Sequence, residues 1–230
     1  TAYEIGVRLV GSEMCIRDRY GPEVEPYLDE IERVIRLETS GALAGMIIEP
    51  VQGYGGIIAM PQGYLSGAFE QIRAAGGVCV VDEVQSGFGR TGDHFWAFEG
   101  HGVIPDIVVM AKGIGNGFPL GAVVAKKNIS ESMAGKFCFH TYGASPVSCA
   151  AGRAALRVMQ LENLQENARV VGAALLEGLV DLQERYPSTG DVRGRGLMLA
   201  IEMVKDQQSK TPDPETTATV FECARDHGLI

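Results

Sequence analysis

The sequence Val78-Cys79-Val80-Val81-Asp82 and the later sequence Asp106-Ile107-Val108-Val109-Met110-Ala111-Lys112 contain the same pattern. Each holds a short apolar run that ends at one ionisable residue. Such runs, rich in β-branched residues, are typical of strands buried on both faces of a parallel sheet. In open parallel sheets, ligands bind outside the carboxyl ends of the strands. The pattern therefore predicts that Asp82 and Lys112 lie at one ligand-binding edge.

Composition excludes several classes of protein. The 230 residues carry a net charge of −9, which disfavours a nucleic-acid partner, and no apolar run approaches the roughly 20 residues of a membrane span, so no membrane partner is expected either. The five cysteines show no paired spacing, which indicates free thiols in a reducing compartment. The four histidines show no ligand-like spacing, so we expect no metal site.

Hydrophobic periodicity predicts alternating helices and strands after residue 20. Helices are expected over Pro22–Glu38, Tyr64–Ala75, from Ser145 to about Tyr186 with a break near Glu162-Asn163, and over Thr216–His227; strands are expected over Leu43–Ile48, up to Asp82, up to Lys112, and over Gly121–Ala125 and Leu197–Val204. The segment Leu43–Asp82 reads as a βαβ unit, which should be right-handed. Gly53–Gly63 and Lys205–Glu215 are expected to be loops.

The ionisable residues at the ends of these strands allow two interpretations. A lysine can form a Schiff base with the aldehyde cofactor pyridoxal phosphate, and an aspartate facing the pyridine nitrogen keeps that nitrogen protonated. The ring then accepts the electrons of a substrate carbanion. A buried ion pair between Asp82 and Lys112 that serves only stability explains the same residues. Glu49 ends a third predicted strand and would lie at the same edge.

Longer motifs favour the cofactor interpretation. The run Asp82–Gly92 (DEVQSGFGRTG), with Pro105–Ile107 and Met110–Gly113, closely resembles the class III aminotransferases of the pyridoxal-phosphate fold type I superfamily. Further matching stretches are Glu49–Gly53, Thr141–Gly143, Gly113–Pro119, Asn163–Asn167 and Gly190–Gly194. The resemblance covers about residues 41 to 230 and is greatest to the alanine–glyoxylate group of the second, mitochondrial type.

The resemblance implies a fold and a division of the chain. The fold class is α/β, with a partial three-layer α/β/α large domain of fold type I and the start of a small α+β C-terminal domain. Residues 20–160 would form the partial cofactor-binding domain, and residues 161–230 a linking helix with part of the small domain. Residues 1–19 have no helical or strand period and resemble a peptide translated from sequencing-adapter DNA. We expect a non-native segment there; the alternative is a genuine irregular loop.

The resemblance also assigns roles to the cofactor-binding residues. Lys112 would bind the cofactor covalently, and Asp82 would pair with its pyridine nitrogen. Val84 would pack on one face of the ring, and Gln85 would lie near its phenolic oxygen. Thr141 would reach the cofactor phosphate of the neighbouring subunit, so the resemblance implies a homodimer with shared active sites. The alternative for Thr141 is an ordinary loop hydroxyl.

Two further residues are implied in substrate binding. Arg193 would bind a substrate carboxylate through a two-point fork, a task for which lysine is poorly shaped. Glu49 would pair with Arg193 when the bound substrate presents an amine, so we expect a contact between these two side chains. A plain surface cation is the alternative for Arg193, because Arg185 and Arg195 are close to it in sequence. The glycine-rich run Gly113–Gly117 is expected to be a tight turn that holds Lys112 rather than a phosphate cradle.

The chain also departs from the family pattern. Ala144-Ser145 stands where family members usually carry a glycine–asparagine pair. The upstream glycine–serine loop that grips the cofactor phosphate, and the aromatic residue that covers the second ring face, are not found in this sequence. The chain is therefore treated as a fragment, and its ability to bind cofactor alone is left open.

The expected function is transamination by a ping-pong mechanism. An amino acid such as alanine or an ω-amino acid would donate its amino group to an oxo acid such as glyoxylate or pyruvate. The alternatives are a lyase acting on a phosphorylated amino alcohol, which Ser145–Cys149 also resembles, a 4-aminobutyrate-type aminotransferase, and an inactive truncated fragment. A bacterial source would imply a cytoplasmic location, and a eukaryotic source would allow a mitochondrial one.

Overall fold

The computed structural model describes residues 23–137 and 139–229. The helices are α1 (Glu25–Glu38), α2 (Tyr64–Ala74), α3 (Lys127–Glu131), α4 (Pro146–Leu161), α5 (Leu164–Arg185) and α6 (Pro214–Asp226). The strands are β1 (Gly45–Ile48), β2 (Val51–Gln52), β3 (Ile58–Ala59), β4 (Val78–Asp82), β5 (Ile107–Met110), β6 (Ala122–Ala125), β7 (Thr189–Arg195) and β8 (Met198–Met203). The segment 1–19, expected to be non-native, lies outside the described residues.

A four-stranded mixed sheet positions the predicted site. Its strand order is β1-β4-β5-β6, with β4 parallel to both β1 and β5, and β6 antiparallel to β5. The parallel pairing of β1 with β4, in which Ile48 is registered with Val81, confirms the βαβ unit expected over Leu43–Asp82. On the other side of β4, Asp82 is registered with Val109 of β5.

Helices α1 and α2 bury one face of this sheet. The core cluster there contains Tyr27, Ile31, Ile48, Met60, Tyr64, Leu65, Ala68, Phe69, Ile72, Cys79 and Val81. Each large apolar side chain buried in this way contributes about 1.5–3 kcal/mol. Along β4, Cys79 and Val81 are buried, whereas Val78 and Val80 are only half-buried. The expectation of burial on both faces is therefore wrong for this strand as described, because no described element fully covers the second face.

The C-terminal part contains a hairpin that the sequence pattern did not predict in full. β7 and β8 are antiparallel, with Arg193 registered opposite Ala200 and an irregularity between Thr189 and Asp191. Strand β8 was expected. Strand β7 was not, because its glycines and charged residues show no apolar pattern typical of a strand. Strands β2 and β3 likewise form a short hairpin, with Val51 registered opposite Ala59. Because β3 lies inside Gly53–Gly63, the expectation of a loop throughout that segment is wrong.

The helix boundaries follow the predictions closely. The break between α4 and α5 falls at Asn163, which has a left-handed φ of 50°. Helix α4 begins at Pro146 as expected, but the Ser145 side chain makes no capping hydrogen bond. Among residues 23–137 and 139–229, no helix combines the length and apolarity needed to span a membrane. The same residues contain no cluster of three or more His, Cys, Asp or Glu side chains arranged to hold a metal ion.

Candidate active site

The structure places Asp82 and Lys112 beyond the carboxyl ends of two neighbouring parallel strands. Asp82 is the last residue of β4, and Val109, its register partner, lies near the end of β5. The backbone N–H of Glu83 also donates to the carbonyl of Val109 at 2.9 Å, which holds the two strand ends together. Lys112 follows β5 directly after Ala111. Both ionisable groups therefore belong to one edge of the sheet, as their sequence positions predicted.

Asp82 also shapes the turn that follows β4. Its Oδ1 accepts a hydrogen bond from the backbone N–H of Val84 at 2.9 Å. This bond fixes the start of the segment that carries Val84 and Gln85. Gly53 lies against the end of Gln85, because a Cβ on that glycine would be 2.4 Å from the Gln85 amide. The glycine thus leaves the space that the glutamine side chain occupies.

Lys112 occupies a constrained backbone position. Its φ of 45° is left-handed, a conformation that lysine rarely adopts. Its carbonyl accepts hydrogen bonds from the N–H groups of Gly115, at 3.1 Å, and Asn116, at 3.0 Å. The run Gly113–Gly117 is therefore a tight turn that holds Lys112, as expected. Such strained residues concentrate at functional sites, where surrounding contacts maintain them.

A cavity of about 290 Å³ opens at this edge of the sheet. Its walls are formed by Ile57, Val84, Gln85, Arg90, Lys112, Leu197, Met198 and Leu199. Three of the residues predicted for the site, Lys112, Val84 and Gln85, are among them. The sequence reasoning assigned no role to Ile57, Arg90 or the residues from β8. Arg90 could have been found, because it lies within the same glycine-rich motif as Val84 and Gln85.

The β7–β8 turn completes the cavity by resting on the backbone of Arg90. The N–H of Leu197 donates to the carbonyl of Arg90 at 3.0 Å. Gly196 makes this approach possible, because a Cβ there would lie 2.5 Å from the same carbonyl. Gly196 also has a left-handed φ of 56°, which glycine adopts without strain. The wall formed by β8 is thereby fixed to the segment that follows β4.

The carboxylate of Glu83 stabilises the turn that follows β4 through two hydrogen bonds. Glu83 is fully buried, and its Oε2 accepts a hydrogen bond from Ser86 Oγ at 2.6 Å. Its Oε1 accepts a second bond from the backbone N–H of Phe98 at 2.9 Å. Burial raises the pKa of Glu83 above its ordinary value, although these hydrogen bonds oppose the shift. Sequence reasoning gave this residue no role.

Arg193 is half-buried in an ionic cluster of its own hairpin. Its Nη1 lies 2.8 Å from both Asp191 Oδ2 and Glu202 Oε2. Its Nε donates to the carbonyl of Gly56 at 2.7 Å. The side chain of Arg193 is only 11% exposed, so the alternative of a plain surface cation is wrong.

Glu49 and Arg193 do not form the expected contact with each other in the described chain; each side chain contacts other groups. In the described chain, Glu49 Oε2 accepts a hydrogen bond from the backbone N–H of Gly53 at 2.9 Å. Asp191 and Glu202 supply the carboxylates at Arg193 instead. Both of these acids lie on the same hairpin as the arginine.

Thr141 lies away from the cavity in an exposed turn. The structure therefore does not bring Thr141 together with the other predicted residues within this single chain. Large apolar side chains around the turn are also exposed, namely Phe137, Phe139, Tyr142 and Val147. Ala144, in the same turn, has a left-handed φ of 55°.

Comparison with known proteins places these features in a family. Residues 13–230 match the family model for class-III aminotransferases. The chain is 47% identical over 214 residues to the mitochondrial alanine–glyoxylate aminotransferase 2 homolog 2 of Arabidopsis thaliana, covering 93% of this chain and 45% of that protein. It is 45% identical over 208 residues to the human mitochondrial alanine–glyoxylate aminotransferase 2, covering 90% of this chain and 40% of that protein.

Solved structures agree with the fold. A Bacillus anthracis aminotransferase superposes with a TM-score of 0.87 at 36% identity, over 96% of this chain and 52% of that one. A pyridoxal-phosphate-bound amine transaminase from an uncultivated Pseudomonas species gives 0.85 at 34% identity, over 96% and 52%. An Arthrobacter phospholyase in complex with phosphoethanolamine gives 0.84 at 36% identity, over 90% and 50%. The expected fold type I class is confirmed, and the chain spans about half the length of these proteins.

Proposed function

This chain belongs to the class-III aminotransferase family, and from that membership we propose that it is part of a pyridoxal-phosphate-dependent transaminase. The reaction would move an amino group from an amino acid, such as alanine or an ω-amino acid, to an oxo acid such as glyoxylate or pyruvate. Similarity to alanine–glyoxylate aminotransferases supports this substrate class. The observation that carries the proposal is the placement of Lys112 in the cavity wall, at the same sheet edge as Asp82.

The chemistry of the residues at this edge suits pyridoxal phosphate. The cavity wall offers the amine of Lys112, the amide of Gln85 and the apolar surface of Val84. We propose that Lys112 holds the cofactor aldehyde, that Asp82 faces the pyridine nitrogen, and that Gln85 lies near the phenolic oxygen. Bound there, the cofactor would supply an electron sink for the substrate carbanion.

The chain's own residues would then perform the proton chemistry and the positioning. Once substrate has displaced it, the Lys112 amine would act as a general base and acid, taking a proton from the substrate α-carbon and passing it to the cofactor. Asp82 would keep the ring nitrogen protonated by its negative charge. The hydrogen bond between Asp82 and the Val84 N–H would keep the Val84 side chain against the ring face.

We propose that Thr141 serves the active site of a neighbouring subunit in a homodimer. Its exposed position, away from the cavity of its own chain, is compatible with that role. The exposed apolar side chains of Phe137, Phe139 and Tyr142 would be covered by the second copy. For a eukaryotic source we propose a mitochondrial location, because similar relatives are mitochondrial by name. For a bacterial source we propose the cytoplasm.

The family resemblance would make Glu49 and Arg193 substrate ligands, but the contacts that both residues make set a condition on that role. Because Arg193 already contacts Asp191 and Glu202, a substrate carboxylate would have to displace at least one of them. Glu49 would likewise have to leave the N–H of Gly53 before it could pair with Arg193.

Replacement of Lys112 tests the proposed function. In the complete protein that carries this sequence, Lys112→Ala should abolish turnover and remove the visible absorbance of the lysine-bound cofactor. Lys127→Ala is the matched control, because Lys127 is 88% exposed on α3 and lies outside the cavity. A Lys112→Ala protein that keeps the absorbance band would contradict the assignment.

A phospho-lyase is the second candidate, favoured by the structural similarity to the Arthrobacter phospholyase that binds phosphoethanolamine. The two reactions differ in their products. Incubation with phosphoethanolamine and no oxo acid should release no inorganic phosphate if the protein is a transaminase. Stoichiometric phosphate release under these conditions would favour the lyase.

A further inference from the structure

The cavity carries two cationic side chains, Lys112 and Arg90. None of the described residues that line it is an aspartate or a glutamate. The remaining walls are apolar apart from Gln85. Two cations with no carboxylate among these lining residues favour the binding of an anionic group. Under the proposed function Lys112 is committed to the cofactor, which leaves Arg90 as the cation at this wall.

The backbone of Arg90 is fixed, whereas its side chain remains available. The Arg90 carbonyl accepts the hydrogen bond from Leu197 N–H, and Gly196 packs directly against it. Its guanidinium forms no hydrogen bond or ion pair with any residue in 23–137 or 139–229. The side chain is exposed at the cavity wall. An arginine in this setting offers a planar fork of N–H donors that fits a carboxylate.

Arg193 differs from Arg90 in both charge balance and access. Two carboxylates, from Asp191 and Glu202, lie 2.8 Å from its Nη1. Together the three side chains carry a net charge of about −1, so the cluster as a whole repels an incoming carboxylate. Separating Arg193 from these partners would leave at least one half-buried acid without its cation, which lowers stability.

We propose that Arg90, in place of Arg193, binds the carboxylate of the amino-acid or oxo-acid substrate at this cavity. This inference rests on the proposed transaminase function and names the residue that selects its substrate class. The ligand is a small organic acid whose carboxylate meets the Arg90 fork while its amino or oxo carbon lies toward Lys112. An amine that lacks a carboxylate makes no use of Arg90.

The decisive experiment compares donors with and without a carboxylate. The first half-reaction, followed by cofactor absorbance, is measured with L-alanine and with benzylamine for wild-type, Arg90→Gln and Arg193→Gln proteins. Loss of a charged hydrogen-bonded pair corresponds to a decrease of about 10- to 100-fold in kcat/KM. We expect that decrease for Arg90→Gln with alanine, appearing mainly in KM, and less than about threefold change with benzylamine.

A matched control and two outcomes make the test decisive. Arg185→Gln removes an exposed arginine that pairs with Asp181 on α5, and it should leave both donors unchanged. Equal losses for both donors in Arg90→Gln would overturn the inference, because they would indicate a structural role. Loss of the alanine reaction in Arg193→Gln alone would also overturn it and would assign the carboxylate to Arg193.

A binding measurement separates this inference from the proposed function. Propionate, a carboxylate without an amino group, is titrated calorimetrically into wild-type and Arg90→Gln proteins. We expect binding by the wild type that weakens about 10-fold or more in the variant. Absence of wild-type binding, or equal affinity in the two proteins, would overturn the inference. A wild-type protein that binds propionate through Arg90 but converts neither donor would contradict the proposed function alone.

Discussion

Gly172 of α5 and Gly196 of the β7–β8 turn are in direct backbone contact. A Cβ atom on Gly172 would lie 2.2 Å from the carbonyl oxygen of Gly196. A Cβ atom on Gly196 would in turn lie 2.5 Å from both the carbonyl oxygen of Arg90 and the carbonyl carbon of Thr91. The turn is thus held between a helix and the segment after β4, and the residues that follow it form one wall of the cavity.

The first prediction concerns this contact. Gly172→Ala should destabilise the protein by about 2–3 kcal/mol, because its methyl group overlaps backbone that has no room to move. Gly178→Ala is the matched control, since the same helix carries Gly178 with no atom within 4 Å of its would-be Cβ. That control should stabilise the protein by about 0.5–1 kcal/mol through helix propensity. Urea unfolding measures both values, and equal effects of the two substitutions would refute the contact.

The second prediction concerns the pH dependence of stability. Burial raises the pKa of Glu83 above its ordinary value of 4.5. Between 4.5 and the raised value, the folded protein keeps a proton that the unfolded chain releases, so this group lowers stability as pH rises. Glu83→Gln does not titrate, and its unfolding free energy should fall less steeply with pH over that interval. Glu177→Gln, an exposed change on α5, should keep the wild-type slope; identical slopes in all three proteins would contradict the prediction.

The third prediction concerns Asp106, which joins three elements at the opposite end of the sheet. Its carboxylate accepts hydrogen bonds from Arg73, from Lys126 at 2.7 Å, and from the backbone N–H of Cys79 at 2.9 Å. Partial burial opposes ionisation, but the hydrogen bonds and the two cations lower the pKa of Asp106 below its ordinary value of 3.8. Asp106→Asn should therefore cost about 1–2 kcal/mol at neutral pH.

The sign of the shift fixes the pH window for this variant. A lowered folded pKa adds stability above pH 3.8 that is lost as pH falls through the folded value. The difference between wild type and Asp106→Asn should therefore shrink below pH 3.8 in acid unfolding experiments. Glu131→Gln, which removes an exposed pair with Lys127, should change stability by less than about 0.5 kcal/mol. A difference that stays constant down to the lowest pH would rule out the ionised Asp106 as its source.

The fourth prediction concerns the strained backbone position of Ala144. Ala144 has a φ of 55°, which glycine adopts at little cost and alanine does not. Ala144→Gly should therefore stabilise the fold by about 0.5–1 kcal/mol. Ala154→Gly, in the exposed middle of α4, should do the opposite by a similar amount. Thermal unfolding compares the two, and a loss of stability at position 144 would show that the turn is not strained.

The parallel core and its two strand-terminal residues could be predicted because the signal is local. The apolar run before Asp82 and the run before Lys112 each specify a strand without help from distant contacts. The tight turn after Lys112 could likewise be predicted from the glycines of Gly113–Gly117. These features depend on residue type and spacing alone, so a single sequence carries them.

The partners of Arg193 could not be predicted from the sequence. Strand β7 alternates glycines with charged residues and shows no apolar period, so its pairing with β8 arises from tertiary contacts. Without knowledge of that register, no local sequence pattern predicts that Glu202 lies close to Arg193. The cavity wall formed by Ile57 was missed for the same reason, because it depends on a β2–β3 hairpin of only two residues per strand.

The bond between Arg193 and the carbonyl of Gly56 spans 137 positions in the chain. Contacts of such high sequence separation carry a large loop-closure entropy and form late in folding. Nascent chains should therefore acquire the parallel sheet first, and the cavity should gain its wall from β8 only when the β7–β8 hairpin docks.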